Sequence, residues 1–271
     1  MYHQPRSIDE ALELKARLGG DGTFLAGGTD LVVGLRKGKL EVKNLIDLSR
    51  VPGLDELQER DGHLVVGARV THARLERCKE TALAAAAETV GGPQIRNLGT
   101  VGGQIGTASP AGDVTVALLA LKAEAELLSR RGRRRVPLEQ VFVGPGRTSL
   151  APDELLRAVH VPLGRRSVFY KLGKRGAVAI SVVMAAASVG PGGDVALAVG
   201  CAAPVPLRIA KAEALLDQQG LTEAAIARAA ELAEQAVTPI TDHRGGEAYR
   251  RAMAGTLTRR LLTELAQGGH R

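Results

Sequence analysis

The stretch Thr100–Asp113 (TVGGQIGTASPAGD) most constrains what this chain can fold into. It concentrates four glycines, several hydroxyls and one carboxylate in a loop that runs into an apolar helical pattern, Asp113–Lys122. An earlier stretch, Leu25–Asp30 (LAGGTD), repeats the theme: an apolar run, paired glycines, a hydroxyl, a carboxylate and a further apolar segment. Paired glycines bend the backbone sharply and carry no Cβ to bar a ligand. Successive N–H groups at such a bend, with the positive end of a following helix, form a hollow that binds anions. Thr29, Thr107 and Ser109 offer hydroxyl donors, and two facing hollows suit a pyrophosphate. Asp113, acceptor-only when ionised, suits a ribose diol. Either loop alone is better read as a tight turn, with Asp30 or Asp113 as a helix N-cap. The recurrence of hydroxyl and carboxylate in both favours one shared ligand.

The rest of the chain reads as scaffolding. Ser7–Leu18 predicts a helix with Ser7 as N-cap, Glu10 three residues on and Gly19–Gly20 as its stop. Thr23–Ala26 and Asn44–Leu48 predict strands, with a helix opening at Leu31, a βα unit. Leu57–Arg60 and His63–Val66 flank Asp61-Gly62 as a hairpin. Thr71–Cys78 and the Ala-rich Thr81–Val90 predict helices, the second ended by Gly91-Gly92-Pro93. Ala125–Ser129 and Leu155–Val161 predict strands, and Phe142–Arg147 a turn. After a boundary near Gly164-Arg165-Arg166, three strand-like runs (Ser167–Leu172, Val178–Val189 and Val195–Cys201) predict an antiparallel meander. Three helices, Pro206–Gln219, Thr222–Ala236 and Glu247–Ala266, follow. Strands and then helices make the fold class α+β.

The 271 residues suffice for two domains. Aromatics are 2% with no Trp, so Leu, Val, Ile and Ala must fill the core. The net charge of +7 admits a nucleic acid, an acidic subunit or a phosphate ligand. There are too few aromatics for a base-stacking platform, so nucleic acid is the weaker reading. The basic run Arg130–Arg135 (RRGRRR) reads as a solvated turn. Cys78 and Cys201 are lone thiols that fit neither a disulfide framework nor a zinc pattern. His3, His63, His72, His160, His243 and His270 are scattered without metal-ligand spacing. No Rossmann fingerprint or P-loop is present, so the chain does not read as an ordinary Rossmann dehydrogenase or P-loop ATPase; Ser109 lacks a nucleophile elbow, and no residue is assigned a catalytic role. The chain reads as cytoplasmic, without a signal peptide or membrane span.

The motifs LAGGTDL and IRNLGTVGGQIGTASPAGDV resemble the flavin-binding subunit of molybdenum hydroxylases, the family of xanthine dehydrogenase and aerobic carbon monoxide dehydrogenase. VGARVTHARLE, FVGPGRTSLAPDELL, KLGKR, APVPLRIAKAEALL and EAYRRAM extend the likeness over nearly the whole chain. The resemblance implies FAD. It implies that Leu25, Ala26, Gly27, Gly28, Thr29, Asp30 and Leu31, with Thr100, Gly102, Gly103 and Gln104, wrap its pyrophosphate. It implies that Asp113 binds a ribose, that Leu155 or its neighbour Leu156 packs by the cofactor, and that Lys171 lies near the flavin. Ser109 is added as a hydroxyl donor. Gln104 stands where the family usually has Asn, Gly176 and Ala177 where relatives often carry bulkier or polar residues, and Tyr170 is the local Tyr. Arg96 either serves the flavin or pairs with a carboxylate.

By the same resemblance, residues 1–164 form two α/β subdomains (about 1–53 and 54–164, vanillyl-alcohol-oxidase/PCMH-like) that grip FAD. Residues 165–271 form a three-stranded antiparallel sheet with a three-helix bundle. The partners implied are a large molybdenum-cofactor subunit and a small [2Fe-2S] subunit, with electrons passing to an external acceptor such as NAD, oxygen or a quinone. Two cysteines are too few to ligate such clusters in this chain. The rivals are a non-flavin assembly protein of the same fold and a basic nucleic-acid-binding protein.

Overall fold

The architecture follows from where the apolar residues fall. The protein is described by a computed structural model covering residues 1–268; His270 lies outside the described residues. The N-terminal unit comprises strand β1 (Tyr2–His3), helix α1 (Ile8–Leu18), strand β2 (Gly22–Leu25), helix α2 (Leu31–Arg36) and strand β3 (Asn44–Asp47). The strands form a parallel sheet in the order β1-β3-β2, with β1 too short to have been read from sequence. Ser7 caps α1 as expected, its hydroxyl accepting from Glu10 N–H. The Glu10 carboxylate reaches back to the N–H of Arg6. Ala11 and Leu12 of α1 meet Leu48, Val51, Leu54 and Leu155 in a small core that joins this unit to the next.

The second unit opens with the expected hairpin, β4 (Leu57–Arg60) and β5 (His63–Gly67). Five helices follow: α3 (His72–Leu75), α4 (Thr81–Glu88), α5 (Pro93–Leu98), α6 (Val101–Thr107) and α7 (Asp113–Ala120). Then come strands β6 (Glu124–Ser129), β7 (Gly132–Pro137), β8 (Phe142–Gly144), β9 (Arg147–Thr148) and β10 (Leu155–Pro162). The main sheet is antiparallel, ordered β4-β5-β10-β6-β7, and β8 pairs β9 in a separate ribbon.

Three local expectations are corrected here. Thr100–Asp113 is not a continuous loop: Thr100 accepts from Gly103 N–H and so caps α6, which carries the glycine pair in its first turn. Helix α5 was not anticipated; Pro93 sits at its first turn, where the missing N–H costs nothing. The run Arg130–Arg135 is a turn only at its start. Gly132 onward is the edge strand β7, held by carboxylates on neighbouring elements: Arg134 grips Glu154 at 2.6 and 2.8 Å, and Arg131 meets Asp153 at 2.7 Å.

The third unit contains β11 (Arg166–Gly173), β12 (Ser181–Val189), β13 (Val195–Gly200) and β14 (Leu207–Arg208). These form an antiparallel sheet in that order: the three expected strands plus a two-residue edge. Helices α8 (Ala210–Gln219), α9 (Glu223–Ala236) and α10 (Glu247–Ala266) pack on it. Helix α8 begins later than the sequence suggests because Leu207 and Arg208 pair with β13.

All nine residues of β12 are buried, since the sheet is covered on both faces. Side chains alternate along a strand. Val183, Ala185 and Ala187 therefore face the helical bundle, while Met184 and Ala186 join the core around α7. Every residue of α7 is buried, as expected of a helix whose residues beyond Asp113 are apolar on nearly all sides. It stands against α4 on one side and β12 and β13 on the other.

Candidate functional site

The two glycine motifs meet backbone to backbone. A Cβ on Gly27 would fall 1.8 Å from the carbonyl oxygen of Leu98 and 3.2 Å from Cα of Gly99. Only glycine permits that approach, which brings the bend after β2 against the residues just before Thr100. Gly28 has φ +71°, a left-handed conformation that suits glycine. Among the described residues, the N–H groups of Gly28, Thr29, Asp30 and Leu31 have no acceptor in the chain, and the Asp30 side chain does not cap α2. This segment leaves four backbone donors unpaired at the start of α2, the kind of donor set that binds anions.

The second motif is built differently from the expectation. Val101 N–H donates to Val70 O, Gly102 N–H to Ala68 O and Gly103 N–H to the Thr100 hydroxyl. Its first-turn donors are thus engaged within the protein. Gly102 is needed for close packing, because a Cβ there would lie 2.6 Å from that of Ala68. Gly103 has a different surround: a Cβ would meet only the Thr100 hydroxyl, at 3.0 Å. Gly106 has nothing within 4 Å. The motif therefore presents a smooth, side-chain-free surface rather than a second ring of free donors.

The polar residues between α6 and α7 hold the local structure. The Gln104 side-chain carbonyl accepts from Thr115 N–H at 3.1 Å and ties α6 to α7. Ser109 accepts from Ala111 N–H, and Thr107 donates to Gly103 O. Leu155 and Leu156 are buried, Leu155 in the small core with α1 and Leu156 in the large core around α7.

Asp113, the first residue of α7, is 5% exposed. Lys171 Nζ donates to its Oδ2 at 2.6 Å and to Thr89 O at 3.0 Å. Ser181 Oγ donates to its Oδ1 at 2.8 Å. Burial pushes the Asp113 carboxyl up from the usual carboxylate range, and the Lys171 charge and these hydrogen bonds oppose that rise. Lys171 reaches Asp113 because Ser167, Phe169 and Lys171 share the β11 face toward α4 and α7. Tyr170 lies on the opposite face and donates to Glu264 of α10. The structure thus gathers Asp113 and Lys171, and separates Tyr170 from them.

Two further polar residues were not singled out from sequence. Ser181 offers one signal, a hydroxyl at the head of a long apolar strand. His72 is 3% exposed, and its Nδ1 has no hydrogen-bond partner among the described residues. Its ring lies against Gly99: a Cβ on Gly99 would be 3.0 Å from its Cδ2. Burial, with the Arg96 charge behind it, lowers the His72 pKa to about 4. Arg96 pairs with Glu76 at 2.7 Å, which explains it structurally. The remaining ionisable groups do not add to the site. Burial drives the Cys201 thiol up to about 12. Among the described residues, no group of three or more His, Cys, Asp or Glu is placed to hold a metal ion. No described helix is long and apolar enough to cross a membrane.

Comparison with known proteins agrees with this geometry. Residues 1–164 match the family described as the FAD binding domain in molybdopterin dehydrogenase. Residues 168–265 match the carbon monoxide dehydrogenase flavoprotein C-terminal domain. The chain is 33% identical to the nicotine 6-hydroxylase medium subunit of Paenarthrobacter nicotinovorans, over 97% of this chain and 96% of that one. It is 31% identical to a xanthine dehydrogenase FAD-binding subunit of Escherichia coli, over 99% and 97% respectively. Its structure superposes on a chain of carbon monoxide dehydrogenase from Hydrogenophaga pseudoflava with a TM-score of 0.92 at 31% identity, covering 99% of this chain and 98% of that one. With the unpaired Gly28–Leu31 amides set beside the second motif, these matches lead to one assignment: the chain belongs to the FAD-binding subunits of the molybdenum hydroxylase family, an oxidoreductase subunit whose cofactor is FAD.

Proposed function

We propose that this chain is the electron-transfer subunit of a molybdenum-containing hydroxylase, working between the [2Fe-2S] clusters of a small partner subunit and an external acceptor such as NAD, oxygen or a quinone. The organic substrate would react at molybdenum on a large partner subunit. The medium-subunit name of the nicotine hydroxylase relative supports a place between a larger and a smaller partner. FAD, when bound, supplies the redox chemistry, while the protein orients it and sets its surroundings.

The observation that carries the reading is the contact of Gly27 with the Leu98–Gly99 backbone, which sets the two glycine motifs side by side. In this proposal the N–H groups of Gly28, Thr29, Asp30 and Leu31 donate to the diphosphate, and Thr29 adds its hydroxyl. Leu25 and Ala26 deliver the chain into the bend. Across from them, Gly103 gives a surface low enough for the diphosphate to approach, while Gly102 seats that helix on Ala68 and Thr100 and Gln104 fix it. Ser109 shapes the turn into α7. Asp113 accepts from a ribose hydroxyl; each of its oxygens keeps a second lone pair beside the bond it already makes. Lys171 holds that carboxylate. Leu155 forms the floor between the first two units. Residues 1–164 act as the FAD-binding domain and 165–271 as the second domain, which contributes Lys171.

The test is reconstitution. The purified chain titrated with FAD should quench flavin fluorescence to a stoichiometric end point. Assembled with its partner subunits, the flavin should bleach on adding the hydroxylase substrate, and not when the [2Fe-2S] subunit is left out. A chain that stays colourless after added FAD, or a flavin that bleaches equally without the iron–sulfur subunit, contradicts the proposal.

A further inference from the structure

The second strand of the second domain, β12, carries an irregularity just where it passes Asp113. Leu172 of β11 pairs with Val183, but the next residue, Gly173, pairs with Ser181, so Val182 is an extra residue in β12. Strict alternation from Met184, which joins the core around α7, would send Val182 the same way and turn Ser181 toward the bundle. Instead, Val182 and Val183 both enter the bundle core. Ser181 turns to α7 and donates to Asp113 Oδ1 at 2.8 Å. A β-bulge that re-aims one side chain is a recurrent device beside functional sites. Ser181 is 1% exposed and so does not itself meet a ligand.

We propose that Ser181 is a positioning residue, delivered by the bulge at Val182, that fixes the Asp113 carboxylate for the ribose of FAD. The inference rests on the ribose role given above to Asp113. The geometry assigns the two donors to separate oxygens: Lys171 takes Oδ2 and Ser181 takes Oδ1. A carboxylate held at both oxygens cannot turn about its terminal bond, so its remaining lone pairs keep one direction. Ser181 also favours the ionised form, because a hydrogen bond to the carboxylate is lost on protonation. The charged and titratable groups facing Asp113 are Lys171 on β11 and the Cys201 thiol after β13, with Arg244 and Arg250 next to Cys201. The α4 end contributes Thr89, which is neutral.

The experiment titrates the full-length apoprotein with FAD from about pH 5 to about pH 8, reading flavin fluorescence, and records thermal unfolding of each apoprotein at each pH. The variants are Ser181→Ala, Ser181→Cys and Asp113→Ala. For Ser181→Ala, FAD affinity near pH 8 should change by no more than about threefold, while the acid limb moves up by about one pH unit, making binding on that limb roughly tenfold weaker. Ser181→Cys keeps a weak donor and should shift the limb less; should Ser181→Ala not fold, the shift is read on this variant. A loss of affinity uniform across pH and parallel to a fall in Tm would show a merely structural serine and overturn the inference. So would an unmoved limb. Asp113→Ala separates the two layers. If it leaves FAD affinity unchanged, the ribose reading fails. If it loses FAD while the Ser181 variants titrate like wild type, only the positioning role fails.

Discussion

Lys171 Nζ and Asp113 Oδ2 lie 2.6 Å apart, joining the edge strand β11 of one half of the chain to the buried helix α7 of the other. Both side chains are nearly closed to solvent, at 11% and 7% exposure, so screening by water is slight. Removing one partner strands a buried charge. Lys171→Met should therefore lower stability by about 3 kcal/mol. Adding Asp113→Leu to it should recover most of that loss. Urea unfolding of the two single variants and the double variant checks this; simple addition of the two losses would contradict a direct pair.

Gly27→Ala puts a methyl 1.8 Å from the Leu98 carbonyl oxygen, backbone that has no side-chain freedom to yield. A loss of about 1–3 kcal/mol is expected, together with loss of FAD retention. Gly106→Ala is the matched control. It lies within α6 with open space around it, so it should gain up to about 1 kcal/mol from helix propensity. Denaturant midpoints that move alike for the two variants would contradict the packing account.

Gly103→Val should give a folded protein that does not keep flavin. A Cβ at Gly103 presses at 3.0 Å on the Thr100 hydroxyl that caps α6, and the two methyls beyond it fill the smooth surface. Loss of that cap costs about 1 kcal/mol, too little to unfold the chain. A preparation that remains yellow after gel filtration contradicts the placement of FAD at this surface.

His72 makes the fold acid-sensitive. Its pKa falls from 6.5 unfolded to about 4 in the fold, because burial and Arg96 disfavour the imidazolium. The unfolded chain then binds the extra proton first. Stability is fully present above pH 6.5 and declines as pH falls through the window toward 4, by about 3 kcal/mol in all. His72→Leu should flatten that slope by one proton's worth. Unfolding free energy measured across the window checks it; equal slopes for wild type and variant would contradict a neutral buried imidazole.

Much of the fold is legible because its signals are local. Ser7 before an apolar helical pattern, Asp61-Gly62 between two strand-like runs, and the largely apolar Val114–Ala120 each state their structure within a few residues. What was not legible depends on distant partners. Helix α6 is glycine-rich and weak by propensity; it exists because Thr100 caps it and Gly102 seats it on Ala68. The basic run joins a sheet because Glu154 and Asp153 lie across from it. At the site, the glycine motifs announced a cofactor through family resemblance, but the chemistry of the two hollows is unequal. Among the described residues the Gly28–Leu31 donors have no acceptor, while those of Val101–Gly103 bind Val70, Ala68 and Thr100. Ser181 was hidden for the same reason, since the extra residue that turns it lies in a pairing register rather than in composition.

A crystal structure of the full-length protein grown with FAD tests the central claim most directly. The account predicts diphosphate oxygens within hydrogen-bonding distance of the Gly28–Leu31 amides, with the Gly103 face of α6 covering them and a ribose hydroxyl on Asp113. Cofactor density in another cleft, or a diphosphate that touches neither glycine motif, would contradict it.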